Sequence, residues 1–323
     1  MKIHRRHFLQ ATTGFAALPT IAPFARAETY PTRPVQVIVG FPAGGAADIS
    51  ARLLSQWLTE RLRQQFVVET RPGAATNIAT EAVARAPADG YTLLLVTQAN
   101  AVNAALYSNL NFDFIRDIAP VGSILRVPGV MVVHPSFSAR TVPEFIAYAK
   151  SNPGKINMGS GGIGSAQHLY GELFKMLTGV EMVHVPYSGQ PLTDLIGGRL
   201  QVVFNPVPST ISFIRSGKLR ALAVTTAMRL DALPGVPTIA ETVPGYEASG
   251  WFGVGAPKTT PVPIMERLNG GINAALKDSK IKARIADLGG TVLSGSPADF
   301  GNLIVEETKK WGTVVKSAGL KPV

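Results

Sequence analysis

The sequence predicts an α/β protein made of two lobes of one design, each a sheet flanked by helices. Three observations carry this. A β-rich run leads through a glycine-rich turn into a helix near residue 40, and the same order returns near residue 160. The spacing also repeats: 28 residues separate Gly45 from Gly73, and 28 separate Gly161 from Gly189. Finally, 323 residues at 46% hydrophobic and 16% charged suffice for about two domains.

The chain opens on a targeting segment. Arg5 and Arg6 form a twin arginine, a weakly apolar run of residues 11–22 follows, and Ala25-Arg26-Ala27 gives a small-x-small cleavage pattern. The run is too short and too rich in Ala and Thr to span a bilayer. Residues 1–27 therefore read as a cleaved export signal of the twin-arginine kind, which places the mature protein in the periplasm. The net charge of +10 drops to +6 once Lys2, Arg5, Arg6 and Arg26 are removed.

In the first lobe, "VQVIV" is a strand and residues 41–45 are a Pro/Gly turn. Asp48 is placed to cap a helix with the apolar stripe Ile49, Leu53, Trp57. "FVVE" is the next strand, Arg71-Pro72-Gly73 the next turn, and a helix over residues 76–86 leads to the strand "YTLLLVT". In the second lobe, "KINMG", "SGGIG" and "SAQHLYGELFKMLTG" are strand, turn and helix. "EMVHVPY", the turn at Ser188-Gly189, a helix from Leu192 and the strand "LQVVFN" follow. The tail reads as helices around a short strand, with Ser296 and Pro297 as N-cap and first helical residue.

Composition excludes several chemistries. There is no cysteine, hence no disulfide, thiolate site or lipid-modified cysteine anchor. Beyond His4 and His7, the histidines His134, His168 and His184 lack metal-ligand spacing, so no metal is expected. Basic residues are scattered, without interleaved aromatics, so no nucleic-acid partner is expected.

The stretch "NMGSGGIGSAQHLYGELF" admits three readings. Gly159, Gly161 and Gly164 spell G-x-G-x-x-G between a strand and a helix, as in a dinucleotide-dependent oxidoreductase. That reading needs an acid ending the second strand, which here ends Val185-Pro186-Tyr187-Ser188, with Glu181 at its start. A nucleophile elbow at Ser160 would need glycine where Met158 stands, and His168 as its base has no evident orienting group. The third reading is an anion cradle. Glycines admit close approach, and the first N–H groups of a helix are unpaired and carry its positive end. Two such starts, at residues 41–48 and 160–168, would hold a carboxylate without Lys or Arg. Either loop alone can equally be a tight strand-to-helix turn.

"GFPAGGAADISAR", "SGGIGSAQHLYGELFK", "HVPYSGQP", "GKLRALAVTT", "LPGVPTIAET" and "GYEASGWFGVGAP" make the chain similar to the Bug-type extracytoplasmic solute receptors of tripartite tricarboxylate transporters. The resemblance spans nearly the whole mature chain. It implies a two-lobed periplasmic binding protein of the Venus-flytrap, type II-like form, which binds a small carboxylate and delivers it to a membrane permease. It implies no catalysis and no cofactor, and carboxylates held by backbone amides and waters. Carried onto this chain, the first loop is Phe41, Ala43, Gly44, Gly45 and Asp48, with Phe41 as an aromatic wall. The second is Ser160, Gly161, Gly164, Ser165 and His168. The side walls are Thr97, Gln98, Asn100 and Asn103 from one lobe and Tyr187, Asn205 and Ser209 from the other.

Two departures bear on substrate. Asn205 stands where relatives often show Asp, and "VTQANAVNAALY" differs from a common Ser/Thr-His run. Four side chains keep an alternative role: Asp48 as a cap, His168 as a packed residue, Tyr187 as an interlobe aromatic, Asn205 as part of a turn. The expected arrangement is a monomer with lobe 1 at residues 28–125 and 250–323 and lobe 2 at 126–249. The chain should cross near residues 125–127 and 249–251, with Pro128-Gly129 and Gly250 as hinges. A dicarboxylate is the expected ligand.

Overall fold

The computed structural model describes residues 30–107, 109–187 and 191–320. The export signal and Gly189 of the second spacing lie outside the described residues.

The first half runs β1 (Val35–Val39), α1 (Ala46–Leu62), β2 (Phe66–Thr70), α2 (Asn77–Ala84), β3 (Thr92–Thr97) and α3 (Gln98–Leu106). A short α4 (Phe114–Asp117) leads into β4 (Ile118–Val133). The second half runs α5 (Val142–Ser151), β5 (Asn157–Ser160), α6 (Ala166–Thr178), β6 (Val183–Pro186), α7 (Leu192–Ile196), β7 (Val202–Pro206), α8 (Ile211–Arg215) and β8 (Arg220–Val224). The chain then returns through β9 (Ser249–Pro257), α9 (Val262–Ala275), α10 (Ser279–Asp287), β10 (Thr291–Val292) and α11 (Pro297–Ser317).

The strand order is β2-β1-β3-β9-β4-β7-β5-β6, with β8 and β10 also pairing with β4. The predicted duplication is visible in it. β1 lies parallel between β2 and β3, and β5 lies parallel between β6 and β7. An antiparallel strand closes each trio, β9 on β3 and β4 on β7. Both Gly-rich turns therefore leave the carboxyl end of a central parallel strand, where ligands of such sheets bind.

Both sheet faces are buried. Val35, Val37 and Val39 of β1 pack with Leu54 and Leu58 of α1 and Leu268 of α9, while Ile38 faces Val83, Leu94 and Val96. This is why the strand reads as an unbroken apolar run. In the second half, Met158, Val202 and Phe204 pack against Leu169, Leu173 and Phe174 of α6. Each of these side chains contributes about 1.5–3 kcal/mol by leaving water. α6 stops at Gly179, whose φ of 69° is left-handed and whose N–H donates to Lys175 O.

The two halves are joined by paired strands. β4 runs through both, and Arg126, Val127 and Pro128 pair with Trp251, Gly250 and Ser249 of β9. Arg126 Nη1 donates to Glu247 Oε1 at 2.7 Å and to Ser249 Oγ at 2.6 Å, and Lys310 Nζ lies 2.9 Å from Glu247 Oε2. Burial pushes the Glu247 carboxyl up, but Lys310 and Arg126 outweigh it, so it lies below the ordinary range. α11 also joins the halves. It is capped as predicted: Ser296 Oγ accepts from Asp299 N, and Asp299 accepts from Ser296 N. Its Phe300 and Ile304 pack in the first half, and Trp311, Val314 and Val315 pack in the core of the second.

Candidate functional site

β1 and β5 each end in a glycine turn that feeds a helix, and these two helix starts face one cleft of about 720 Å³. Ala46 and Ala166, the first residues of α1 and α6, both line it. Their N–H groups, and those of Ala47 and Gln167, have no carbonyl four residues back. They find no acceptor among the described residues.

In the first turn Gly44 takes φ 82°, which only glycine adopts readily. The predicted cap needs correction. The N-cap of α1 is Gly45, not Asp48. Asp48 sits in the first turn of α1, 3% exposed, and reaches back so that its Oδ2 accepts from Gly44 N at 2.9 Å. Arg52 Nε lies 3.0 Å from the same carboxylate. That hydrogen bond holds the Asp48 carboxyl below its ordinary range against the opposing effect of burial, and the Gly44 amide assists. The pair is ionised and mutually neutralising, so Asp48 does not cancel the positive end of α1. Gly44 N is consequently spent inside the loop.

The second turn is tied down more thoroughly. Gly161 N donates to Gln167 Oε1 at 2.6 Å and Gly164 N to His168 Nδ1 at 3.1 Å. Gly162 N donates to Ser160 Oγ, and Ser165 Oγ accepts from His168 N as the helix cap. The glycine amides expected to face a ligand are thus engaged with the helix that follows them. The His168 ring is buried, stacked at 3.6 Å on His184, with Nε2 3.5 Å from Glu172 Oε1. Burial, then the neighbouring His168, pushes His184 down to about 4.

Ser160 Oγ lies 2.6 Å from His184 Nε2, a nucleophile-to-base distance that the sequence did not suggest. Ser160 is nevertheless 0% exposed and is not part of the cleft wall. Its Oγ donates to Gly162 O and accepts from Gly162 N, both at 3.1 Å, which braces the turn.

Of the other predicted residues, the cleft wall includes Phe41, Thr97, Gln98, Asn103, Gly164, Ser165 and Ser209. Ala43, Gly44, Gly45, Gly161 and Tyr187 are not part of it. Asn100 is buried behind it, accepting from Thr97 N at 2.7 Å and donating to Thr76 and Thr80 hydroxyls. Asn205 accepts from Gln167 Nε2 and donates to Ser209 and Thr210 hydroxyls, again fully buried. Tyr187 donates to Asp194 Oδ2 at 2.7 Å. Asn100 and Asn205 thus support lining residues Thr97 and Ser209 from behind. Gln167, which the sequence reading passed over, links Gly161 to Asn205 and so holds the second turn to β7. The apolar wall, including Val102, Leu106, Leu169, Trp251 and Phe252, was also not foreseen. Neither was the left-handed run Ala74, Ala75, Thr76 beside it.

Among the described residues, no Lys, Arg or His lines the cleft. The model of the tripartite tricarboxylate transporter family receptor matches residues 50–320. The chain belongs to this family. Protein BugT of Bordetella pertussis is 38% identical to this receptor over 312 residues, covering 95% of this chain and 96% of its own. Rpa4515 of R. palustris, solved with adipate, is 39% identical, with a TM-score of 0.77 over 91% of this chain and 100% of its own. MatC of Rhodopseudomonas palustris, solved with bound malate, is 30% identical, with a TM-score of 0.73 over 88% and 100%. The receptor thus has the two-lobed form of the periplasmic solute-binding proteins. The strand beside the G-x-G-x-x-G stretch ends in Pro186, without the acid that a dinucleotide ribose needs. Among the described residues of the receptor, no helix is long and apolar enough to cross a membrane.

Proposed function

We propose that this receptor binds a small carboxylate, a dicarboxylate for preference, in the cleft and hands it to the membrane permease of a tripartite tricarboxylate transporter. The observation that carries the reading is the convergence of Ala46 and Ala166 on one cleft whose wall, among the described residues, has no cationic side chain. Helix-start amides are the remaining source of positive potential there. The amides of Ala46, Ala47, Ala166 and Gln167 supply four charge-assisted hydrogen bonds at about 1.5–3 kcal/mol each, roughly 6–12 kcal/mol gross. Burial of the ligand's carbon chain adds to this, against an association cost of about 4–15 kcal/mol. Micromolar to nanomolar affinity is consistent with that balance. The adipate bound by Rpa4515 and the malate bound by MatC support a dicarboxylate.

In this reading the protein acts as a periplasmic monomer after loss of residues 1–27 and performs no catalysis. Lobe 1 comprises residues 28–125 and 250–323, lobe 2 residues 126–249, with rotation at Pro128-Gly129 and Gly250. The strand pairing at those positions supports this division. A thermal-shift screen of mono-, di- and tricarboxylates, with NAD as a control, tests it. A carboxylate that binds only the folded protein raises the melting temperature. A shift with NAD and none with any carboxylate would replace this reading with the oxidoreductase one.

A further inference from the structure

A second cavity, of about 420 Å³, shares no lining residue with the cleft. It lies where α9, α10 and β10 meet. Leu276 and Lys277 follow α9, Lys282 is on α10, Val292 is on β10 and Ser294 comes just after it. Leu276 and Val292 pack into the core of the first half and give the cavity an apolar floor. Lys277, Lys282 and Ser294 are exposed and form its rim. Lys277, Lys280 and Lys282 fall within six residues of chain. The acids of this stretch are engaged elsewhere. Asp278 Oδ1 accepts from Lys280 N at 2.8 Å as the cap of α10, and Asp287 pairs with Arg284 at 3.1 Å. Among the described residues the three lysines have no ion-pair partner.

Placement separates this cavity from the lysines scattered over the rest of the surface. α10 runs from it to the cleft: Lys282 lines the cavity, while Asp287 and Leu288 line the cleft. At 1.5 Å per residue the two ends are only about 8–9 Å apart along the helix axis. The next residue, Gly289, has φ 63° and lies so close to Pro208 of the opposite half that a Cβ has no room. Pro208 is itself part of the cleft wall. On the other side, Thr291 and Val292 of β10 pair with Arg126 and Leu125, where β4 crosses between the halves. A partner held in the cavity therefore bears on the helix that meets the opposite half and on the strand that joins the two.

We propose that this cavity docks an acidic segment on the periplasmic side of the permease. Lys277 and Lys282 pair with its carboxylates, and Leu276 and Val292 receive its methylenes. The inference rests on the receptor reading above. Two observations select this occupant. A concave site with an apolar floor suits single side chains of a polypeptide, whereas a bilayer presents a broad surface that does not enter it. A permease must also open the cleft to take the ligand, and α10 gives it a direct hold on the contact with Pro208.

Fluorescence anisotropy with labelled hexaglutamate tests this at low ionic strength. The cleft of the mature protein is first saturated with the tightest carboxylate of the screen, so that the peptide cannot report on the cleft. Hexaglutamate should bind, hexaglutamine should not, and affinity should fall as salt rises. Lys277→Glu combined with Lys282→Glu should lower hexaglutamate affinity about tenfold or more. Carboxylate affinity, read by isothermal titration, should stay within about twofold, because neither lysine lines the cleft. Lys150→Glu combined with Lys155→Glu makes the same change of charge at exposed positions of the other half. That control should move hexaglutamate affinity less than about threefold. Equal losses in the two double variants, or no hexaglutamate binding at millimolar concentration, overturn the docking site and leave the receptor reading intact. Binding to phosphatidylglycerol vesicles but not to the peptide, lost with Lys277 and Lys282, overturns it in favour of a lipid surface. If no carboxylate binds in the screen, the receptor reading falls by that result, and the permease as occupant falls with it.

Discussion

Proline at the first position of each cleft-facing helix deletes a single backbone donor. Ala46 and Ala166 occupy that position in α1 and α6. A helix tolerates proline there, because its N–H has no internal partner and its fixed φ is already helical. The preceding residues meet proline's demand for extended backbone. Gly45 has φ −79° and ψ 167°, and Ser165 has φ −63° and ψ 157°. Ala46→Pro and Ala166→Pro should therefore leave the melting temperature of the unliganded protein within a few degrees of wild type. Each removes one N–H bond to a carboxylate, about 1.5–3 kcal/mol, or roughly 10- to 150-fold in Kd. The ring also adds bulk to the cleft, so Ala166→Val is the control: it adds carbon but keeps the N–H. Isothermal titration with the tightest carboxylate found in the screen reads the result. If both proline variants bind within threefold of wild type, or if Ala166→Val loses as much as Ala166→Pro, the helix starts do not hold the anion.

Three further outcomes follow from other parts of the molecule. Folding holds His184 down at about 4, against an ordinary 6.5, so the unfolded chain takes up a proton there that the folded one refuses. The resulting stability is present above pH 6.5 and lost as pH falls toward 4. Denaturant titrations should show His184→Gln losing about 1–2 kcal/mol less than wild type between pH 7 and 5, after discount for partial exposure; parallel profiles would contradict the burial argument. Gly164 has φ 75°, and a Cβ there would come within 2.6 Å of Leu106 Cδ1 on the opposite half. Gly164→Ala should thus destabilise the fold by about 1–2 kcal/mol from its left-handed backbone alone, more where the clash is not relieved, and in a double-mutant cycle read by chemical denaturation Leu106→Ala should restore the clash part; strict additivity would refute contact across the cleft. Glu307 Oε2 accepts from Trp251 Nε1 at 3.2 Å and Trp311 Nε1 at 2.7 Å and pairs with Lys310. Glu307→Leu leaves both indole donors stranded, while Lys310 keeps its pair with Glu247, and should cost about 2–6 kcal/mol in chemical denaturation; a loss below about 1 kcal/mol would show that water replaces the carboxylate.

The duplicated architecture was legible because it is written in local signals. Apolar runs, glycine turns and helix stripes at matched spacing give the repeated succession of strand, turn and helix, which the structure arranges as β2-β1-β3 and β6-β5-β7. β4 was not legible. Pro120 and Pro128 interrupt its pattern, and its length is fixed by distant partners in β9, β7 and β8. The helix expected from residue 76 starts at Asn77, because Ala74, Ala75 and Thr76 take positive φ, which nothing in an Ala-Ala-Thr stretch announces. At the site, sequence located both turns and both helix starts but not how the polar groups divide their work. Gly161 and Gly164 were expected to present amides, yet Gln167 and His168, one turn along the following helix, fold back and take them. Asn100 and Asn205 are polar residues in the right place whose hydrogen bonds all point into the protein. That assignment depends on partners up to 38 residues away, which spacing alone does not reveal.

The central claim is that backbone amides at the starts of α1 and α6, not a side-chain cation, capture the carboxylate. A crystal structure of the mature protein with its tightest-binding carboxylate tests it most directly. The account predicts carboxylate oxygens about 2.7–3.1 Å from the N–H groups of Ala46 or Ala47 on one side and Ala166 or Gln167 on the other, directly or across one ordered water. A carboxylate paired with an Arg or Lys side chain, or seated outside the cleft, would contradict it.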